Sequence, residues 1–142
     1  MDVDGMKRYI SILLVITWMF VIFMMSSFNG DVSSSQSNFI VDKLVNIFNI
    51  ENTDIVSLIV RKLAHYMEYL ILGVLMINMF SEFDIKINTK YIIAIIICII
   101  YASSDEIHQI FIAGRCFAIR DILIDSMGAI SGIYIYKLLR RV

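Results

Sequence analysis

Residues 91–115 read YIIAIIICIIYASSDEIHQIFIAGR, an almost unbroken apolar run that leads into a group of polar and charged side chains. The run from Tyr91 to about Ile112 is long enough to cross a bilayer, because a transmembrane helix needs roughly 20 largely apolar residues. From Asp105 to Arg115 the sequence then brings together two carboxylates, an imidazole, an amide and a guanidinium. The segment therefore predicts a membrane-spanning helix with polar chemistry at one end.

The composition of the chain also predicts a membrane protein. The 142 residues are 59% hydrophobic and 18% charged, and the mean hydropathy of +0.80 is well above that of a typical soluble domain. The net charge of −1 gives no electrostatic reason to expect a nucleic acid partner. The two cysteines, Cys98 and Cys116, support neither a disulfide framework nor a Cys-based zinc motif.

Three further apolar segments meet the same length criterion, namely Tyr9–Met25, Leu63–Phe80 and Ile122–Leu139. Helices are expected, because an open sheet leaves backbone groups unpaired in lipid and these runs lack the alternation of a barrel strand. Between the first two spans, residues 39–50 place apolar side chains at helical spacing. We predict an all-α membrane protein, one domain over 1–142, with four transmembrane helices and an amphipathic interfacial helix between the first two. A helix packed over the bundle is the alternative for 39–50.

The distribution of lysine and arginine favours an orientation with both termini in the cytoplasm. Seven of the twelve basic residues lie in the two termini and the 81–90 loop, and the other side holds Lys43, Arg61, Lys62, Arg115 and Arg120. The positive-inside rule assigns the larger group to the cytoplasmic side. Because no clear cleavage pattern follows the first span, we expect a retained anchor rather than a signal peptide.

Polar residues of three spans fall at a similar depth, near the outer side of the membrane in this orientation. Charged residues within spans usually face the bundle interior, a partner or water, so we expect them to line one pocket. They are Lys62, His65, Glu68 and Tyr69 on the second span, Asp105, Glu106, His108 and Gln109 on the third, Arg115 after it, and Asp121 and Asp125 on the fourth. The alternative is that they only form interhelical hydrogen bonds in a purely structural or accessory protein.

The residue types allow two kinds of activity. For an enzyme, His65 and His108 could act as general acid or base while Glu68 or Asp105 orients an imidazole. For a binding protein, Lys62 and Arg115 could hold a phosphate or carboxylate, with Tyr69, Glu106, Gln109, Asp121 and Asp125 completing the ligand site. No nucleophile motif or P-loop indicates catalysis, and the residues do not decide whether a metal or cofactor binds. We expect Arg115 to compensate the charges of Glu68 and Asp105.

Three motifs resemble those of the VanZ-like family of small bacterial integral membrane proteins. They are RKLAHYMEYLILG at 61–73, DEIHQIFIAGR at 105–115 and RDILIDSMGAISG at 120–132. Ala113 departs from a proline common in the family, and Phe28 from a glutamine. The resemblance implies a multi-pass protein of the bacterial cytoplasmic membrane, linked to the cell envelope and to glycopeptide antibiotic resistance. Its implied partner is a membrane lipid or a lipid-linked envelope precursor, and the motifs include the polar residues named above. The ligand and the oligomeric state do not follow from it.

Overall fold

The fold is a bundle of four long helices. The computed structural model describes residues 3–28, 41–43, 45–47 and 52–140, and all regular structure within these ranges is helical. The four long helices are α1 (Val3–Ser26), α2 (Thr53–Ser81), α3 (Ile87–Gln109) and α4 (Ile119–Arg140). Each is long and apolar enough to span a membrane. The predicted all-α class and the four spans are therefore confirmed.

Helices α2 and α3 differ in extent from the membrane spans predicted on hydrophobicity. The second helix begins at Thr53 rather than near Leu63, because the side chain of Asn52 caps it by accepting a hydrogen bond from the Ile55 N–H at 3.2 Å. The third helix ends at Gln109 rather than near Ile112. Beyond it, the N–H of Ile112 bonds to the Gln109 carbonyl at 3.1 Å, and such three-residue turns end a helix.

The predicted interfacial helix is described only in part. Residues 41–43 and 45–47 are helical. Val41 is buried, whereas Ile47 is 69% exposed, so the two faces of the segment differ. Ile40, Leu44 and Phe48, which belong to its apolar face, lie outside the described residues. A position at the membrane interface stays a prediction.

Helices α2 and α4 pack with their backbones in contact. A Cβ atom added to Gly132 would overlap the carbonyl oxygen of Leu70, and one added to Gly128 would overlap the carbonyl oxygen of Tyr66. Gly73 makes the reciprocal approach from α2. Small residues permit such close approach of helices in membranes. We call these contacts of Gly73, Gly128 and Gly132 the glycine seam. The glycine seam fixes the relative rotation of α2 and α4, the two helices that carry most of the predicted site residues.

Helix α1 is attached to α2 and α3 by polar contacts as well as apolar packing. The indole N–H of Trp18 donates a hydrogen bond of 2.9 Å to the main-chain carbonyl of Glu68, and the Tyr101 hydroxyl donates one of 2.5 Å to the carbonyl of Met19. Large apolar side chains point outward, such as Phe20 at 60% exposed. A soluble bundle would turn such side chains inward, so the outer surface is suited to lipid.

The two ends of the bundle differ in chemistry. At one end, Arg8 near the N-terminus donates a hydrogen bond of 3.1 Å to the carbonyl of Glu82, in the connection between α2 and α3. The opposite end holds the last residues of α1, the middle of α2 and the 110–118 connection between α3 and α4. We call this second end the polar end, because the predicted site residues lie there.

Candidate functional site

A cavity of about 290 Å³ opens at the polar end. Its walls come from α2, from the end of α3, from the 110–118 connection and from the start of α4. It is lined by Arg61, Lys62, His65, Gln109, Gly114, Arg115, Cys116, Ala118 and Asp121. Three of these nine residues are cations and one is a carboxylate, so the lining is positively charged.

An ion pair closes one side of the cavity. The Lys62 ammonium on α2 contacts the Asp121 carboxylate on α4, with 24% and 12% of the two side chains exposed. Asp121 is held in place by its own N–H, which donates a hydrogen bond of 2.8 Å to the Ala118 carbonyl. The pair connects the first and third sequence motifs and neutralises Lys62.

Arg115 is positioned by a glycine turn and by two side-chain hydrogen bonds. Gly114 has a φ of 75°, a conformation that favours glycine. From there the Arg115 guanidinium donates from Nε to the Phe28 carbonyl at 3.1 Å and from Nη1 to Gln109 Oε1 at 3.3 Å. It therefore connects the segment after α1 with the end of α3, and it still lines the cavity.

The guanidinium of Arg115 is only partly compensated by its neighbours. Burial lowers its pKa, and the positive charge of Arg61 lowers it further, while Asp105 and Glu68 oppose that shift. Arginine nevertheless keeps its charge at physiological pH. Arg61 itself forms no ion pair or hydrogen bond with any residue that the structure describes. The two guanidinium groups would both gain from an anion in the cavity.

A layer of buried acidic and phenolic side chains lies behind the cavity. Asp105, Glu106 and Asp125 are 3%, 0% and 0% exposed. Gln109 Nε2 donates to Asp105 Oδ2 at 3.1 Å, and the Ala118 N–H donates to Glu106 Oε2 at 2.8 Å. Among the described residues, no hydrogen-bond partner reaches the other oxygens of these two side chains, either oxygen of Asp125, or the Tyr69 hydroxyl.

His65 lies between the cavity and this buried layer. It lines the cavity, and its Nδ1 is 3.8 Å from Glu68 Oε2 and 4.0 Å from Asp125 Oδ1. Nδ1 is buried and has no hydrogen-bond partner in the described ranges. The imidazole therefore lies between the positively charged cavity and the carboxylates of Glu68 and Asp125.

His108 lies elsewhere, against α1. Its Nε2 is 3.1 Å from Ser27 Oγ, and its ring centroid is 4.5 Å from that of Phe23. Adjacent residues on a helix are rotated by about 100°, so His108 faces α1 when Gln109 faces the cavity. The expectation was that both histidines line one pocket, and the described cavity lining includes His65 but not His108.

The cavity also contains residues that were not predicted as ligand-binding, namely Arg61, Gly114, Cys116 and Ala118. Arg61 was counted only for topology, although it precedes His65 by one helical turn and so shares its face. Within the described ranges, no group of three or more His, Cys, Asp and Glu side chains could hold a metal ion. Of the other predicted residues, most lie in the cavity wall or in the buried layer, and Glu68 is half-buried beside His65.

Comparison with known proteins agrees with this architecture. The family model described as VanZ/LLP1 matches residues 11–140. The match includes all three motifs, the described cavity lining and the buried layer, and it confirms the family resemblance. No curated protein and no solved structure matched the chain.

Proposed function

The chain belongs to the VanZ/LLP1 family, and from that membership and the charge of its cavity we propose that it binds an anionic cell-envelope headgroup. The ligand class is a phosphate carried by a membrane lipid or by a lipid-linked envelope precursor. We place the protein in the cytoplasmic membrane of a bacterium with both termini in the cytoplasm, so that the cavity opens on the outer face. Binding or modification of such a ligand is the route by which it would affect glycopeptide resistance.

The observation that carries the proposal is the pair of guanidinium groups at the cavity. Lys62 forms an ion pair with Asp121, whereas Arg61 has no such partner in the described part of the chain. Arg115 has further N–H donors besides the two that form hydrogen bonds. A guanidinium matches the geometry of phosphate oxygens and can bind them in pairs. The cavity volume of about 290 Å³ suits a headgroup rather than a whole lipid.

The surroundings of the cavity favour a ligand with an apolar tail. Ile107, Ile110 and Phe111, next to the cavity in sequence, are 53%, 55% and 80% exposed. Exposed apolar side chains at the end of a transmembrane bundle are suited to contact with acyl or polyprenyl chains. A headgroup could therefore enter the cavity while its tail stays in the bilayer.

Binding is favoured over catalysis by the one hydroxyl–imidazole contact among the described residues. Ser27 Oγ lies 2.7 Å from the Phe23 carbonyl and 3.1 Å from His108 Nε2. When its one proton is donated to the carbonyl, His108 Nε2 can only donate to the hydroxyl oxygen. A serine nucleophile needs the opposite arrangement, in which the base accepts the hydroxyl proton. The contact also lies outside the cavity.

The proposal is tested with purified protein in detergent by native mass spectrometry. The probes are phosphatidylglycerol, a polyprenyl phosphate and inorganic phosphate, and zwitterionic phosphatidylcholine serves as the reference. We expect Arg61→Gln and Arg115→Gln each to weaken binding by about tenfold or more, since a hydrogen bond to a charged group contributes about 1.5–3 kcal/mol. Arg120→Gln, which removes the same charge from an exposed residue outside the cavity, is the matched control.

The three probes distinguish the sources of the phosphate. Preference for phosphatidylglycerol identifies a lipid headgroup, and preference for the polyprenyl phosphate identifies a lipid-linked precursor. Arg61→Gln is the decisive variant, because loss of Arg61 removes no described hydrogen bond and should leave folding intact. Equal binding by wild type and Arg61→Gln protein, or phosphatidylcholine binding as tight as that of the anionic probes, would contradict the proposal.

A further inference from the structure

The buried layer behind the cavity has a feature that anion binding does not explain. Asp125 is 0% exposed, and neither of its carboxylate oxygens has a hydrogen-bond partner among the described residues. The Tyr69 hydroxyl is also buried and has no hydrogen-bond partner among the residues that the structure describes. An ionised carboxylate without a cation or a donor is strongly unfavourable in such surroundings. A proton on Asp125 removes that cost.

The nearest basic atom to this carboxyl group is on the cavity wall. His65 Nδ1 is 4.0 Å from Asp125 Oδ1, and it too has no hydrogen-bond partner within the described ranges. The separation exceeds a hydrogen bond by about 1 Å, which a small rotation of either side chain closes. The two atoms therefore form a donor and acceptor pair that needs little movement to exchange a proton.

We infer that Asp125 carries a proton in the ligand-free protein and transfers it to His65 Nδ1 when an anion enters the cavity. The inference rests on the proposed function for its second half only. In the transfer, the Oδ1–H bond of Asp125 breaks and an N–H bond forms at Nδ1, which leaves a carboxylate opposite an imidazolium. The total charge of the pair does not change.

The charges around His65 explain why an anion would trigger the transfer. Arg61 and Arg115 line the same cavity as the imidazole, whereas Asp121 offsets Lys62, so a further positive charge on the ring is unfavourable in the ligand-free protein. An anion bound to the guanidinium groups offsets that repulsion. The titratable and charged groups around His65 are Arg61, Lys62 and Glu68 from α2, Arg115 from the connection, and Asp121 and Asp125 from α4. Tyr69 and Asp105 act on Asp125, the other member of the pair.

The first half is tested by infrared spectroscopy of the ligand-free protein. A protonated carboxylic acid has a C=O stretching band that shifts in D₂O, and we expect one such band to be present in wild type and absent from Asp125→Asn protein. Asn has nearly the same shape as Asp, so the substitution should leave the packing intact. The shift in D₂O identifies the wild-type band as that of a carboxylic acid, independently of any variant. A wild-type spectrum without an Asp125-dependent band overturns the inference, whether or not any anion binds.

The second half is tested by adding phosphatidylglycerol. The chain has two histidines, so ¹⁵N-histidine NMR of His108→Gln protein observes His65 alone. We expect the lipid to abolish the Asp125 band and to move the His65 resonances from neutral imidazole to imidazolium. In His65→Gln protein the Asp125 band should remain after the lipid is added. Binding without either change overturns the transfer, and failure to bind overturns the proposed function while the ligand-free band still decides the state of Asp125.

Discussion

Removing both partners of the Lys62–Asp121 ion pair should destabilise the bundle by less than the sum of the two single losses. The pair joins α2 to α4 at the end of the glycine seam that faces the cavity. Lys62→Met leaves the largely buried Asp121 carboxylate without its cation. Asp121→Asn leaves the Lys62 ammonium beside Arg61 and Arg115, with which it lines the cavity. The double variant has neither unpaired charge.

The size of the effect follows from the partial burial of the two side chains. Breaking a fully buried pair costs about 3–5 kcal/mol, and an exposed pair contributes about 0–1 kcal/mol. Because 24% of the Lys62 side chain and 12% of the Asp121 side chain are exposed, solvent screens the pair in part. We expect each single variant to lose about 1–3 kcal/mol and the coupling between them to be about 1–2 kcal/mol.

The measurement is reversible unfolding of the four proteins in mixed detergent and dodecyl sulfate micelles. Trp18 is the chain's single tryptophan, and its hydrogen bond to the Glu68 carbonyl makes its fluorescence a probe of the contact between α1 and α2. Asp4 and Lys7 provide a matched control pair at 3.5 Å, with side chains 86% and 59% exposed. Its coupling should stay below about 0.5 kcal/mol. Additive losses for Lys62→Met and Asp121→Asn would refute the reasoning.

Two further predictions concern topology and packing. In intact cells a membrane-impermeant thiol reagent should label exposed Cys116 and spare buried Cys98, and labelling of Cys116 only after permeabilisation would reverse the orientation. Gly132→Leu should abolish the monodisperse folded species on size-exclusion chromatography, because any side chain there overlaps the Leu70 carbonyl, whereas Ile130→Leu, at a residue 44% exposed, should elute as wild type does. Normal elution and melting of Gly132→Leu protein would mean that the two backbones are not in contact.

The four spans could be predicted from the sequence because length and hydropathy alone decide whether a helix can cross a bilayer. Hydrophobicity alone does not locate the ends of these helices. The apolar run begins at Leu63, yet Asn52 caps α2 well before Arg61 and Lys62. Local capping, rather than hydrophobicity, sets that boundary.

The candidate site was predictable in depth but not in rotation. Rise per residue places Asp105, His108 and Gln109 near the same level, and that level is where the cavity lies. Which of them faces the cavity depends on how α3 is rotated about its axis when it packs against α1, α2 and α4. A single sequence does not determine that rotation. His108 consequently faces Ser27 and Phe23. Arg61 was missed because a basic residue just before an apolar span also suits a purely topological role.

The contacts at the polar end connect the motifs to one another, which bears on how any substitution there should be interpreted. Lys62 of the first motif pairs with Asp121 of the third, and Arg115 of the second bonds to the Phe28 carbonyl after α1. A change in one motif therefore alters the support of another, and loss of function alone cannot assign a role. Arg61 is the exception among the cavity cations, because no described residue depends on it for a hydrogen bond. Substitution of Arg61 consequently separates ligand binding from the stability of the bundle better than substitution of Arg115 or Lys62 does.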